Sequence, residues 1–114
     1  MDRSLRRREI LRRKQDLERV LFRGRRLKDG PVSLYYAAGP AGGRAVAFIT
    51  AGKFRTNVLR NRVKRRLREV YRTNKDHFPL GFDFILRGDT AAVELSFAVL
   101  SERIMKLAEK VPSA

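Results

Sequence analysis

The stretch VLRNRVKRRLREVYR, residues 58–72, decides how the rest of the chain must be arranged. Seven of its fifteen residues are Arg or Lys, yet Leu59, Val63, Leu67, Val70 and Tyr71 recur at helical spacing. On a helical wheel those five fall in a sector only somewhat wider than about 100°, the stripe of a helix that packs on something. Arg60, Lys64 and Arg68 line one flank of this seam, with Asn61, Arg65 and Arg72 in the next row outward; Arg62 and Arg66 line the other flank. Thr56 or Asn57 is placed to cap the start. Like charges at i, i+4 cost a few tenths of a kcal/mol per pair, and Arg60–Lys64, Lys64–Arg68, Arg62–Arg66 and Arg68–Arg72 all repel, with Glu69 alone in relief. Such paving is tolerable when tertiary packing holds the seam and a polyanion supplies the missing counter-charge. A solvated face would mix its signs.

The rest of the charge is distributed to match. The chain has 114 residues, 27 Lys plus Arg against 12 Asp plus Glu, and a net charge of +15. Residues 1–28 hold 12 basic and 4 acidic side chains, and residues 53–75 hold 10 basic against Glu69. Residues 29–52 are neutral, and residues 76–114 carry a net of −2. Two basic blocks around a neutral middle describe a polyanion-binding face on a globular body, and Arg, which dominates, suits phosphate better than Lys does. At this length the expectation is one domain, 1–114, with residues 1–12 as a flexible basic arm. There is no cysteine, hence no disulfide framework and no thiolate metal site, which fits a cytoplasmic protein. No apolar run reaches the roughly 18 residues of a membrane span, and the charged N-terminus lacks the apolar core of a secretory signal.

Other segments read more conventionally. QDLERVLFRG, residues 15–24, is a short helix with Leu17, Val20 and Leu21 on one face, stopped by Gly24. PVSLYYAA (31–38) and RAVAFITA (44–51) are strands, and the loop GPAGG (39–43) between them makes a hairpin the natural reading. FDFILR (82–87) is a further strand. LSFAVLSERIMKLAEKV (95–111) is a helix capped by Ser96, with Phe97, Leu100, Ile104, Leu107 and Val111 as its core stripe. Strands interleaved with helices in one small domain predict an α+β two-layer sandwich.

Alternative chemistries find little support. His77 is the only histidine and has no nucleophile placed beside it by any signature. Asp76, Asp83, Asp89 and Glu94 show no paired-metal spacing, and Asp83 reads as a residue that caps or orients its strand. GPAGG opens no helix and is not a phosphate-binding loop. DNA binding lacks a helix-turn-helix or a dimer seam. Membrane-surface binding would need the apolar seam that the core requires. No catalytic residue is expected in this chain.

With these residues in place, LRNRVKRRLREVYR resembles the Arg-Asn-Arg signature of the protein subunit of bacterial ribonuclease P. QDLERVLFRG is similar to that family's first helix, SLYY to a strand bearing an exposed Tyr, PLGFDFIL to its Gly-aromatic-Asp strand and LSF to its closing segment. The matches cover nearly the whole chain in order. The resemblance implies the fold of ribosomal protein S5 domain 2, α-β-β-β-α-β-α, with a mainly antiparallel sheet and a left-handed βαβ crossover, against the usual right-handed rule. It implies endonucleolytic release of the 5′ leader from precursor tRNA, with catalysis residing in an RNA subunit and in Mg²⁺ bound mainly by that RNA. The partners it implies are ribonuclease P RNA and precursor tRNA, with no membrane, and a chain that is a monomer in isolation. Lys53, Arg60, Asn61, Arg62, Lys64, Arg65 and Arg68 would contact the catalytic RNA. Arg12, Arg13, Leu17, Leu21, Tyr35 and Phe48 would form the leader cleft, with Tyr35 as a stacking platform and Tyr36 near it. No metal ligand in the chain is implied with certainty.

Two departures from the family pattern stand out. Leu17 and Leu21 replace two Phe, with Phe22 displaced by one, and AGKFR (51–55) has Gly52 for a Lys and Arg55 for a Gly. The alternative class is a structural RNA-binding protein of ribosomal type, which would share fold and charge but lack a cleft for a single strand.

Overall fold

Residues 82–86 carry almost no polar break, and a strand of that kind has to be covered on both faces. In the computed structural model, which describes residues 9–40 and 42–112, this strand lies inside a four-stranded sheet. Its strands are β1 (Arg25–Asp29), β2 (Val32–Ala38), β3 (Arg44–Ala51) and β4 (Phe82–Asp89), in the spatial order β1-β2-β4-β3. β4 pairs antiparallel with β2 and parallel with β3, while β1 pairs antiparallel with β2. Helix α1 (Lys14–Glu18) precedes the sheet, α2 (Asn57–Thr73) crosses over from β3 to β4, and α3 (Phe97–Glu109) closes the chain. This is the α+β order expected from the resemblance.

The hairpin expected of residues 31–38 and 44–51 does not form, because β4 lies between those strands. Phe84 and Leu86 point to one face of the sheet and Ile85 to the other, all three fully buried. Only a central position hides both faces. Gly39 and Gly43 accordingly straddle the incoming strand: Gly39 N–H donates to the Gly81 carbonyl at 2.9 Å, and Gly81 N–H donates to the Gly43 carbonyl at 2.7 Å. The true hairpin is β1–β2, with Asp29 paired to Val32 around Gly30 and Pro31. β1 escapes a propensity reading because it is an edge strand whose Arg25, Arg26 and Lys28 are exposed, a composition that blunts edge-to-edge pairing.

The main core joins one sheet face to α2 and α3. Val63, Leu67, Val70 and Tyr71 of the seam are buried there, as are Leu100, Ile104 and Leu107 of α3. Six aromatic rings run through it in sequence, Tyr36–Phe82–Phe84–Phe78–Tyr71–Phe48, with centroids 4.8–6.3 Å apart. Gly88 lets the helix approach: a Cβ there would lie 2.6 Å from Val63 Cγ1. Phe97 departs from the expected stripe; it precedes the first buried turn of α3 and remains 41% exposed.

The second core, on the opposite sheet face, comprises Leu11, Val20, Tyr35, Ala47 and Ile85, with Leu17 and Leu21 packed against it. After Glu18 the first helix loosens into a π-helical turn, Arg19–Arg23, and Gly24 then leaves it in extended conformation. Part of the expected free arm is docked. Ile10 bridges to Val46 on the β3 edge, Leu11 N–H donates to the Val46 carbonyl at 2.9 Å, and Glu9 pairs with Lys75 at 3.1 Å. Residues 9–12 therefore belong to the fold, because Leu11 is apolar enough to be buried; residues 1–8 lie outside the described part.

The Tyr71 hydroxyl is buried without a well-formed hydrogen bond. Burial pushes its pKa up to about 12, against the opposing pull of Arg44. A phenol held protonated in the fold but ionised near pH 10 when unfolded contributes stability that is full below pH 10 and lost as pH rises through about 12. Tyr71→Phe should leave urea stability at pH 7 unchanged or slightly higher and should flatten the loss between pH 10 and 12, a difference approaching about 2–3 kcal/mol. Paired urea melts across that range check it.

Candidate nucleic-acid interface

Thr56 caps α2 by accepting the Leu59 N–H at 3.2 Å, so the helix starts where the sequence places it. With its seam buried, every residue expected to meet the catalytic RNA is exposed: Lys53, Arg60, Asn61, Arg62, Lys64, Arg65 and Arg68. None of these cations has a carboxylate partner among the described residues. The one acid of the helix, Glu69, is engaged by Arg72, whose hydrogen bond lowers the Glu69 pKa. Arg66 is held too, donating to the Leu95 carbonyl at 2.9 Å. The Arg60 guanidinium lies 6.0 Å from the Phe54 ring centroid. In the AGKFR loop Gly52 has φ 88°, and no non-glycine residue described, Arg55 included, has positive φ. The left-handed residue of this loop is Gly52, and Lys53 is exposed beside the helix start.

On the opposite sheet face a cleft of about 730 Å³ is lined by Ile10, Leu11, Arg12, Arg13, Asp16, Arg19, Pro40, Ala45 and Asp83. Arg12 and Arg13 line it and are exposed. Four expectations need correction. Phe48 points to the other face, into the α2 core, because Tyr35 shares its side of the sheet with Ala47 rather than with Phe48. Tyr36 also belongs to the α2 side. Leu17 and Leu21 fill the space between helix and sheet and do not line the cleft. Tyr35 does lie on the cleft side, but it is only 6% exposed: its hydroxyl accepts from Arg87 Nη1 at 2.9 Å, and Arg26 lies 5.7 Å from its ring centroid. Its ring is no open stacking platform.

Arg19 and Asp83 form the anchor of this side, a pair that composition could not reveal across 64 residues of sequence. The Arg19 guanidinium reaches Asp83 Oδ2 at 2.5 Å and the Ala38 carbonyl at 2.6 Å, with Asp16 Oδ1 at 3.5 Å. Its hydrogen bond to Asp83 holds its pKa above the ordinary arginine value. Asp83 is thus a helix-to-sheet anchor and not a strand cap. No group of three or more His, Cys, Asp or Glu among the described residues is placed to hold a metal ion. No helix among them is long and apolar enough to cross a membrane.

Fold and surface together define a basic α+β protein that presents a one-signed helix on one side of its sheet and a cation-lined cleft on the other. A family model described as Ribonuclease P matches residues 5–112. The chain is 32% identical over 102 residues to the ribonuclease P protein component of Pelotomaculum thermopropionicum, covering 90% of this chain and 91% of that one. It is 34% identical over 115 residues to that of Petrotoga mobilis, covering 95% of each. The fold matches the ribonuclease P protein from Thermotoga maritima with TM-score 0.82 at 24% identity, over 93% of this chain and 100% of that one. The chain belongs to the ribonuclease P protein family. It is a protein component of the enzyme that processes tRNA 5′ ends.

The Arg19–Asp83 pair has asymmetric consequences. Arg19→Met strands a buried carboxylate and should cost about 3 kcal/mol, whereas Asp83→Asn leaves a cation that can turn to water and should cost less. Urea denaturation of both variants checks the order.

Proposed function

We propose that the exposed face of α2 docks the catalytic RNA of ribonuclease P and that the cleft on the opposite sheet face takes the 5′ leader of precursor tRNA. The observation that carries this reading is the uncompensated face of Arg60, Asn61, Arg62, Lys64, Arg65 and Arg68, with Lys53 beside it. Phosphates landing there release condensed counterions and remove the like-charge repulsion along the helix, so the same contact drives binding and relaxes the fold. Arginine forks take phosphate oxygens in pairs, which fixes orientation as well as affinity. Across the sheet, Arg12 and Arg13 attract a single strand toward the cleft, and the Arg19–Asp83 anchor holds its helical wall in place. The hydrolytic chemistry, supported by Mg²⁺ held mainly by the RNA, is that of the RNA partner. The chain's contribution is placement and charge.

Reconstitution tests the whole: the protein, a bacterial ribonuclease P RNA and a labelled precursor tRNA at low Mg²⁺. Leader release that needs both components supports the reading; tight RNA binding without activation would favour a purely structural role. Arg60→Ala and Arg65→Ala should each weaken binding to the RNA and reduce the salt slope by somewhat under about one unit, read from Kd against salt. Arg12→Ala with Arg13→Ala should raise the Kd for precursor tRNA and leave mature tRNA binding unchanged; equal losses on both would remove the leader from the cleft.

A further inference from the structure

We propose that the notch between α2 and the start of α3 holds one unpaired base of the catalytic RNA, stacked on Phe97, with its phosphate taken by Arg62 and Arg65. The inference rests on the docking of that RNA on α2 and extends the contact beyond the helix to a second element.

Phe97 is a large apolar side chain left 41% exposed beside the basic face of α2. Ser96 caps α3 by accepting the Val99 N–H at 3.2 Å, which sets the ring just ahead of the buried stripe that begins at Leu100. Phe97 lines a notch of about 420 Å³ together with Arg62, Arg65, Arg66 and Glu69. Two of those walls are committed. Arg66 is fixed on the Leu95 carbonyl, and the Glu69 carboxylate is taken by Arg72, so it opposes an incoming phosphate weakly. Arg62 and Arg65 have no carboxylate partner among the described residues. A partly exposed aromatic ring beside two uncommitted guanidinium groups matches the two parts of a nucleotide, a flat base and a charged phosphate.

The other flank of α2 provides a contrast. A notch of about 430 Å³ there is lined by Phe48, Asn61, Lys64, Arg65 and Arg68, but Phe48 is only 9% exposed. That notch offers phosphate contacts and no usable ring. The Phe97 flank offers both.

The test is a titration of a bacterial ribonuclease P RNA with the full chain and its variants. Phe97→Ala should bind about tenfold more weakly, as the loss of one stacked base predicts, with its salt slope unchanged because no charge is lost. Phe97→Tyr should bind as the parent does. Affinity of Phe97→Ala within twofold of the parent, or a Tyr variant as weak as the Ala one, overturns the proposal. Arg65→Ala in the same series separates the two readings. If it loses affinity and slope while Phe97→Ala does not, the notch is wrong and docking on α2 stands; if neither changes, docking on α2 is wrong as well. The chain contains no tryptophan, so Phe97→Trp supplies a second readout independent of whether the Ala variant folds. Its emission should be quenched by saturating RNA, and unchanged emission overturns the stacking. A concentration-dependent dimer of the free protein, abolished by Phe97→Ala, would instead assign the notch to a second copy of the chain.

Discussion

The structure depends on one constraint: β4 carries buried side chains on both faces and has to be covered on both. Placed between β2 and β3, its Phe84 and Leu86 need α2 and α3 above them, and its Ile85 needs the N-terminal segment below. The two functional surfaces are what those covers present outward. A helix laid over one face to bury Val63, Leu67, Val70 and Tyr71 necessarily turns its arginines to solvent. A short helical segment laid over the other face leaves a cleft where it does not fully close.

The two covers are held differently. α2 is held by apolar area and by a chain of aromatic rings, which is non-directional and insensitive to salt. That suits an element whose own surface charges repel one another. The N-terminal segment has a smaller apolar contact and is fastened by directional links: Arg19 to Asp83 and to the Ala38 carbonyl, Leu11 to the Val46 carbonyl, Glu9 to Lys75. The π-helical turn at Arg19–Arg23 lies at this fastening, with Arg19 reaching the sheet while Val20 is buried and Leu21 half-buried beneath.

Much of this was legible from residue pattern. The amphipathic period of residues 58–72 identified α2, its seam and its outward cations residue by residue, because a 3.6-residue period leaves little choice about which side is buried. Strand pairing was less legible. A Gly- and Pro-rich loop between two strand-like segments has the local chemistry of a hairpin, and nothing local says that a strand forty residues later will enter between them. β1 was hidden by its charges, which mark it as an edge only once its partner is known. Phe48 was placed on the wrong face because a strand alternates sides and its parity relative to Tyr35 depends on register across β4.

Taken alone, the sequence determined the charge, the helical faces, the α+β class and the family, since these follow from residue types at short spacings. Tertiary structure decided which aromatic rings are open. Tyr35, expected exposed, is roofed by Arg26 and the first helix, whereas Phe97, expected buried, is left at the lip of α2. Exposure of a ring depends on what packs over it from elsewhere in the chain, and neither period nor composition encodes that.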